Sequence, residues 1–152
     1  MKVVVIGGVA AGMSAASKIK RVDSSTEIVV YEKGPYVSYG ACGLPYYVSG
    51  INEDYTKMIA RTKEEFEKTG MKINLKHEVV KVEPESKEIL VKDLENDRLF
   101  IDSYDKLMIA TGTVPVVPPI KGKDLKGVYV LKTLEDGMIL KKAVEALEVK
   151  NV

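Results

Sequence analysis

The first 32 residues alternate between short apolar runs and small or charged residues, in the order strand, turn, helix, strand. A β-branched run at Lys2–Ile6 predicts a strand buried on both faces, and glycines follow it. Residues 11–21 are rich in Ala and Ser and carry apolar residues at helical spacing, and residues 27–31 form a second β-branched run. The pattern therefore predicts a βαβ unit over residues 2–32.

The middle of the chain has shorter apolar segments separated by polar turns. A Thr-Lys-Glu-Glu capping box that begins at Thr62 predicts a helix over residues 63–68, ended by Gly70. Between residues 72 and 102, turn sequences separate four short strands, at 73–75, 79–83, 88–92 and 98–101. We expect these strands to form a small antiparallel meander inserted as the crossover of the main sheet.

The last third of the chain predicts two further strands and a helix. Residues 106–110 predict a buried strand and residues 128–131 a short one, whereas the Pro-rich residues 114–119 cannot form a central strand. Thr133 caps a predicted helix over residues 134–148, and residues 149–152 have the pattern of a beginning strand. The elements together predict an α/β fold, Rossmann-like, with a mainly parallel sheet and an inserted antiparallel meander.

The composition is that of one globular domain. The 152 residues are 45% hydrophobic and 30% charged, with a net charge of +1. This balance predicts neither nucleic acid nor membrane as a partner, and no apolar run approaches the ~18 residues of a membrane span. The apolar N terminus is too short for a signal peptide and one cysteine fits a reducing compartment, so we expect a cytoplasmic protein. We predict no metal site.

The turn after the first predicted strand has the context of a dinucleotide-binding fingerprint. The last glycine of this turn precedes an acidic residue at the end of the second strand by 20 residues, and the helix N terminus suits a pyrophosphate. A valine replaces the usual second glycine, so its Cβ should hold the pyrophosphate away or require a shifted turn. The alternative is a tight turn without a ligand. The turn residues are Gly7, Gly8, Val9, Ala10, Ala11 and Gly12, the acidic residue is Glu32, and a second glycine turn follows at Ala110, Thr111 and Gly112.

The single cysteine, Cys42, lies in the sequence Ser-Tyr-Gly-Ala-Cys-Gly-Leu-Pro-Tyr, which begins at Ser38. If Cys42 opens a helix, the partial positive charge of the helix N terminus favours its thiolate, and the small neighbours leave room for a cofactor. This setting indicates a redox-active or nucleophilic thiol. A buried structural cysteine is the alternative.

These motifs together resemble the single-cysteine branch of the FAD- and NAD(P)H-dependent pyridine nucleotide-disulfide oxidoreductases. This branch contains coenzyme A-disulfide reductases, persulfide reductases, and NADH oxidases and peroxidases. The resemblance implies an FAD-binding domain with Glu32 on the FAD ribose and Cys42 beside the isoalloxazine, with NAD(P)H reducing FAD and FAD then reducing a disulfide on Cys42. It also implies that Lys33 and Val80 belong to the FAD site, and that Ser14, Lys18, Arg21, Ser38 and Ala41 face coenzyme A.

Two functions within this branch and one outside it remain open. Besides a coenzyme A disulfide or persulfide reductase, the chain suits an NADH oxidase that works through a Cys42 sulfenic acid, or a nucleotide-binding module without turnover. Ala10 stands where oxidases and peroxidases commonly have a histidine, and we expect the only histidine, His77, to be structural. Because family members are longer, we expect an inactive N-terminal portion of a homodimer, exposing apolar surface and lacking the NAD(P)H site.

Overall fold

A computed structural model describes residues 1–146, which divide into two compact units. Unit 1 comprises residues 1–39 and 60–112, and unit 2 comprises residues 40–59 and those from 113 onward. The strands are β1 (Lys2–Ile6), β2 (Glu27–Glu32), β3 (Met71–Leu75), β4 (His77–Glu83), β5 (Glu88–Asp93), β6 (Arg98–Ser103) and β7 (Lys106–Ile109). The helices are α1 (Ala10–Val22), α2 (Leu44–Val48), α3 (Lys63–Glu67) and α4 (Leu134–Ala146), with 3-10 turns at Ala41–Gly43 and Tyr55–Met58.

A four-stranded parallel sheet, in the order β3-β2-β1-β7, forms the core of unit 1. Successive side chains of a strand point to opposite faces, so β1 contributes to two apolar clusters. Val3 and Val5 pack on one face with residues of α1 and α3, and Val4 and Ile6 pack on the other face with residues of β5. Both faces of β1 are therefore buried, which confirms the prediction from its β-branched run.

A three-stranded antiparallel sheet, in the order β4-β5-β6, covers the second face of the parallel sheet. The predicted inserted meander is thus confirmed, but the assignment of its first predicted strand to this sheet is wrong. The strand predicted at 73–75 belongs to β3, which pairs parallel to β2 with Ile28 opposite Met71. Met71 and Ile73 are buried in the cluster that includes α1 and α3, and this long-range packing assigns the strand to the parallel sheet.

Two other predicted strands differ from the structure. Strand β7 forms at the edge of the sheet, where among the described residues it pairs with β1 alone, and it is not a fully buried strand, since Ile109 is 63% exposed. Residues 128–131 have no strand conformation, and residues 114–119 are irregular as their prolines predicted. The last predicted helix corresponds to α4, and the predicted strand at 149–152 lies outside the described residues.

Unit 2 is built on the packing of α2 against α4. Gly137 of α4 is buried, and a Cβ there would lie 2.8 Å from Leu44 Cδ2, so the glycine allows α4 to approach α2 closely. Thr133 Oγ1 accepts a hydrogen bond from the Asp136 N–H, and the Asp136 carboxylate accepts one from the Thr133 N–H. This reciprocal cap confirms the predicted start of the helix.

A polar cluster joins the two sheets of unit 1. The Asp102 carboxylate on β6 accepts hydrogen bonds from Lys2 Nζ on β1 and from the Tyr31 hydroxyl on β2, the latter at 2.7 Å. Burial opposes ionisation of Asp102, but hydrogen bonds from Lys2 and Tyr31 outweigh it and hold the pKa of this carboxyl below its usual range. Burial, with the hydrogen bond to Asp102, raises the pKa of Tyr31 well above its ordinary value, so the hydroxyl stays a donor.

Asp102→Asn is expected to lower the free energy of unfolding at pH 7 by about 1–3 kcal/mol, because a neutral amide cannot form an ion pair with Lys2. A carboxyl whose pKa is lowered by folding stabilises the fold above its unfolded pKa, and this contribution disappears as the pH falls through the folded pKa. The difference between parent and variant should therefore shrink below about pH 4. Urea unfolding at several pH values measures it, and Asp124→Asn, at a side chain 85% exposed, is the control. A difference that is independent of pH would contradict this assignment.

Candidate functional site

The turn between β1 and α1 requires glycine at both of its ends. Gly7 has a φ of +102°, and a Cβ there would lie 2.2 Å from the carbonyl oxygen of Ala110. A Cβ on Gly12 would lie 1.8 Å from the carbonyl oxygen of Gly7. The first glycine therefore permits the tight turn, and the last permits the close approach of helix and strand that the fingerprint needs.

Val9, which replaces the second glycine of the fingerprint, is compatible with the turn. Its φ is −99° and its ψ is −127°, so the turn accommodates a Cβ at this position without a positive φ, although the pair lies outside the α and β regions. Helix α1 begins directly after it, without a side-chain cap and without an acidic residue in its first turn. The 13-residue helix therefore presents backbone N–H groups and the positive end of its dipole next to the glycine turn.

The Glu32 carboxylate holds this turn in place. Its Oε2 accepts a hydrogen bond of 2.6 Å from the Gly8 N–H, and its Oε1 accepts one of 2.7 Å from the Gly34 N–H. Gly8 is buried, and a Cβ there would lie 2.8 Å from Val37 Cγ1. Each carboxylate oxygen has a second lone pair, so the predicted contact of Glu32 with ribose hydroxyls is compatible with its bonds to the backbone.

The other residues predicted to bind the cofactor have less defined surroundings. Ala110 lies at the end of β7, beside Gly7, and its N–H donates to the Ile6 carbonyl at 2.8 Å. The register between β4 and β5 shifts at Val80, so Val80 has no partner residue on β5, as at a β-bulge. The exposed residues among these are Lys33, Val80, Thr111 and Gly112, with Ala10 and Ala11 at the start of α1.

The face of α1 predicted to bind coenzyme A borders a cationic cavity. Ser14, Lys18 and Arg21 are exposed and lie on one face of α1, being four and seven residues apart. Arg21 also lines a surface cavity of about 310 Å³ with Lys20 and Arg61. The hydroxyl groups of this cavity belong to Ser17, Ser24 and Thr69.

Two of the cavity cations are held in position by unit 1 itself. Arg61 lies over the ring of Phe66, 4.6 Å from its centroid, and donates to the Glu65 carbonyl. Lys20 Nζ donates to the carbonyls of Ser24 and Thr26, at 2.7 and 3.0 Å. No local sequence signal indicates Arg61, because it lies 40 positions from Arg21 and only the fold brings the two into one cavity.

Ser38, another residue predicted to face coenzyme A, is tied to the nucleotide turn. Its N–H donates to the Gly8 carbonyl at 2.9 Å, and its carbonyl accepts from the Ala60 N–H at 2.8 Å. Ser38 has a φ of +52°, which is uncommon for a residue other than glycine. These bonds hold Ser38 next to the turn that begins α1.

Cys42 lies in unit 2 as an exposed free cysteine, which excludes the alternative of a buried structural cysteine. The thiol is in the 3-10 turn Ala41–Gly43, closed by a 2.9 Å hydrogen bond from the Gly43 N–H to the Gly40 carbonyl. The turn leads directly into α2, but α2 begins at Leu44 and has five residues, so Cys42 precedes the α-helix instead of beginning it. Exposure and small neighbours, including the exposed Ala41, therefore make this thiol accessible.

His77 has the surroundings of a structural histidine. Its Nδ1 lies 2.7 Å from the Leu75 carbonyl oxygen, and its ring contacts the rings of Tyr31 and Phe100. Its Nε2 lies 3.9 Å from the Asp93 carboxylate. The ring is thus packed between the two sheets of unit 1, as its predicted role requires.

A model of the pyridine nucleotide-disulphide oxidoreductases matches residues 1–150 of the chain. The chain belongs to this family. The family uses FAD and NAD(P)H. Among residues 1–146, no helix is both long enough and apolar enough to cross a membrane.

Individual relatives have names from two functional groups of the family. The chain is 35% identical to an NADH oxidase of Methanocaldococcus jannaschii, over 100% of this chain and 34% of that protein. It is 34% identical to an NAD(P)H coenzyme A polysulfide/persulfide reductase of Pyrococcus horikoshii, over 99% of this chain and 33% of that protein. The chain thus spans about a third of the length of these relatives.

The fold has a close counterpart among solved structures. Reduced Bacillus anthracis CoADR-RHD superimposes with a TM-score of 0.93 at 33% identity, covering 97% of this chain and 27% of that one. The predicted α/β fold with a mainly parallel sheet is therefore confirmed by both the structure and its counterpart.

Proposed function

We propose that the chain is the FAD-binding part of an NAD(P)H-dependent oxidoreductase that reduces a disulfide or persulfide formed between Cys42 and coenzyme A. The exposure of Cys42 carries this proposal, because it is the only cysteine of the chain and has no partner within it for a disulfide. Within these 152 residues the thiol has no disulfide partner, so we infer that an external sulfur compound supplies the second sulfur. The name of the Pyrococcus horikoshii relative, an NAD(P)H coenzyme A polysulfide/persulfide reductase, supports the same chemistry.

The residues of unit 1 fit an FAD pyrophosphate and ribose. The tight turn at Gly7 and Gly12 brings the uncapped N terminus of α1 to the end of β1, where backbone N–H groups bind phosphate oxygens. Glu32, already fixed by two backbone N–H groups, would accept hydrogen bonds from the ribose hydroxyls. FAD supplies the transfer of an electron pair from NAD(P)H to sulfur.

Cys42 supplies the covalent step. Its thiolate attacks one sulfur of a coenzyme A disulfide, so a Cys42–S–S–CoA bond forms, the original S–S bond breaks, and one coenzyme A thiolate leaves. No net oxidation occurs in this exchange. An electron pair from NAD(P)H then splits the mixed disulfide and returns the Cys42 thiolate and a second coenzyme A thiolate. The exposed turn around Cys42 gives the bulky disulfide access to Sγ.

Coenzyme A is favoured over other thiols by the charge of the α1 surface. Its nucleotide carries a diphosphate and a 3′-phosphate, and charge-assisted hydrogen bonds to phosphate are among the strongest in proteins. Lys18 and Arg21 on α1, with Lys20 and Arg61 in the neighbouring cavity, offer four cations to such an anion. We propose that this surface binds the nucleotide of the substrate.

The test compares two disulfides that differ only in the nucleotide. Reduced protein is mixed with coenzyme A disulfide or with pantethine, which has the same thiol arm without the nucleotide, and intact mass follows the adduct on Cys42. We expect coenzyme A disulfide to react at least about tenfold faster, corresponding to about 1.4 kcal/mol from phosphate contacts. Arg21→Gln should remove most of this preference.

A matched control variant removes one positive charge, as Arg21→Gln does, but outside the cavity that Arg21 lines. Arg98 also belongs to unit 1, but it lies over the ring of Phe100 in the antiparallel sheet. Arg98→Gln should therefore retain the preference for coenzyme A disulfide. Equal rates for the two disulfides in the parent protein would reject coenzyme A as the substrate.

A further inference from the structure

We propose that Met58 is the positioning residue for Cys42, holding the 3-10 turn that carries the thiol at both of its ends. The inference concerns the geometry of unit 2, and its consequence for catalysis rests on the function proposed above. Met58 ends the 3-10 turn Tyr55–Met58 and is only 8% exposed. Its role in the proposed reaction is to act on Cys42 through the turn.

The backbone of Met58 holds the N-terminal end of the turn. Its carbonyl accepts a hydrogen bond of 2.8 Å from the Gly40 N–H. Gly40 in turn accepts the 2.9 Å bond from the Gly43 N–H that closes the turn around Cys42. The two bonds form a short relay from Met58 to both residues that flank the Ala-Cys pair.

The side chain of Met58 fills the space beneath the C-terminal end of the turn. A Cβ on Gly43 would lie 3.2 Å from Met58 Sδ and 3.5 Å from Met58 Cγ. Gly43 has φ −79° and ψ −13°, a conformation that any L-residue adopts. Its backbone therefore does not require glycine, but an added Cβ would make a tight contact with Met58, whose side chain would have to shift by a few tenths of an ångström.

The next residue after this turn is fixed from the opposite direction. Leu44 is 2% exposed and packs against Gly137 of α4. With Leu44 held by α4 and Gly40 and Gly43 held by Met58, the exposed Cys42 has a defined backbone although its side chain faces solvent. A preorganised nucleophile of this kind reacts faster than one on a mobile loop.

Three methionine variants test the role of the side chain. Met58→Ala should raise the hydrogen-exchange rate of the Gly43 amide at least about tenfold, because local opening of the turn becomes easier. The exchange of Cys42 with coenzyme A disulfide should slow by about the same factor. Met58→Leu, which conserves volume, should restore both rates to within about twofold of the parent. Met138→Ala, on α4 of the same unit, is the control for general destabilisation and should leave the Gly43 amide protected.

Two glycine variants test the same contact from the other side. Gly43→Ala should slow the Cys42 exchange, and it should do so much less when combined with Met58→Ala, since the added methyl group then has space. At Gly40 the nearest atom to an added Cβ is 3.8 Å away, an ordinary contact, so Gly40→Ala should have a much smaller effect than Gly43→Ala.

The outcomes separate this inference from the proposed function. An unchanged Gly43 exchange rate in Met58→Ala, or additive effects of the Gly43 and Met58 variants, would overturn the positioning role. A parent protein that forms no coenzyme A adduct would reject the proposed substrate instead. In that case the hydrogen-exchange results for Met58→Ala, Met58→Leu and Met138→Ala still decide whether Met58 holds the turn.

Discussion

Gly7→Ala is expected to lower the free energy of unfolding by about 4 kcal/mol or more, which is a large part of the stability of an ordinary domain. Two effects combine at this position. The φ of +102° is strained for alanine, and the added Cβ would lie 2.2 Å from the Ala110 carbonyl oxygen. The atoms nearest to the added Cβ are backbone atoms of Ala110 and Thr111, so no side-chain movement can relieve the contact and the backbone itself must shift.

Gly127→Ala separates the two effects. Gly127 has a φ of +97°, close to that of Gly7, but no atom lies within 4 Å of a Cβ added there. This variant should lose only the about 1–2 kcal/mol of left-handed strain. Urea unfolding followed by far-UV circular dichroism gives the two losses, and visible absorption after gel filtration with FAD shows which protein retains flavin. We expect Gly127→Ala to retain it and Gly7→Ala to lose it. Equal losses of stability would mean that contact with Ala110 is unimportant.

Cys42→Ser is expected to abolish every covalent adduct on the chain. A serine hydroxyl has nearly the shape of the thiol, but it neither exchanges with disulfides nor forms a sulfenic acid. Intact mass should show one coenzyme A group on the parent protein and none on the variant. The far-UV spectrum should be unchanged because Cys42 is exposed and packs in neither apolar cluster. An adduct that persists in the variant would reject the thiol as the reactive group.

The same pair of proteins distinguishes disulfide chemistry from oxygen chemistry. Parent protein treated with peroxide and then with dimedone gains a dimedone adduct if Cys42 forms a sulfenic acid. Efficient trapping without reaction toward coenzyme A disulfide would favour an NADH oxidase, the function named for the Methanocaldococcus jannaschii relative. Rapid formation of the coenzyme A adduct supports the proposed reductase.

Local signals predicted much of the fold because their causes are local. The β-branched runs of β1 and β2, and the caps at Thr62 and Thr133, depend on residues within a few positions, and the structure contains all four. The strand at 71–75 was placed in the wrong sheet because its partner, β2, is about 40 residues away. A short apolar run forms a strand equally well in either sheet, and only the packing of Met71 and Ile73 decides between them.

The features of the candidate site also separate into those that local sequence predicts and those that depend on long-range contacts. The glycine turn, the acidic residue at the end of β2 and the lone cysteine between small residues can be predicted from residue type and short spacing alone. Folding is what brings Gly7 against Ala110, Arg61 into one cavity with Arg21, and Met58 against the turn that carries Cys42. These contacts join residues 15 to 103 positions apart, and the free energy that selects them comes from burial and close packing of the whole chain, which no short segment encodes.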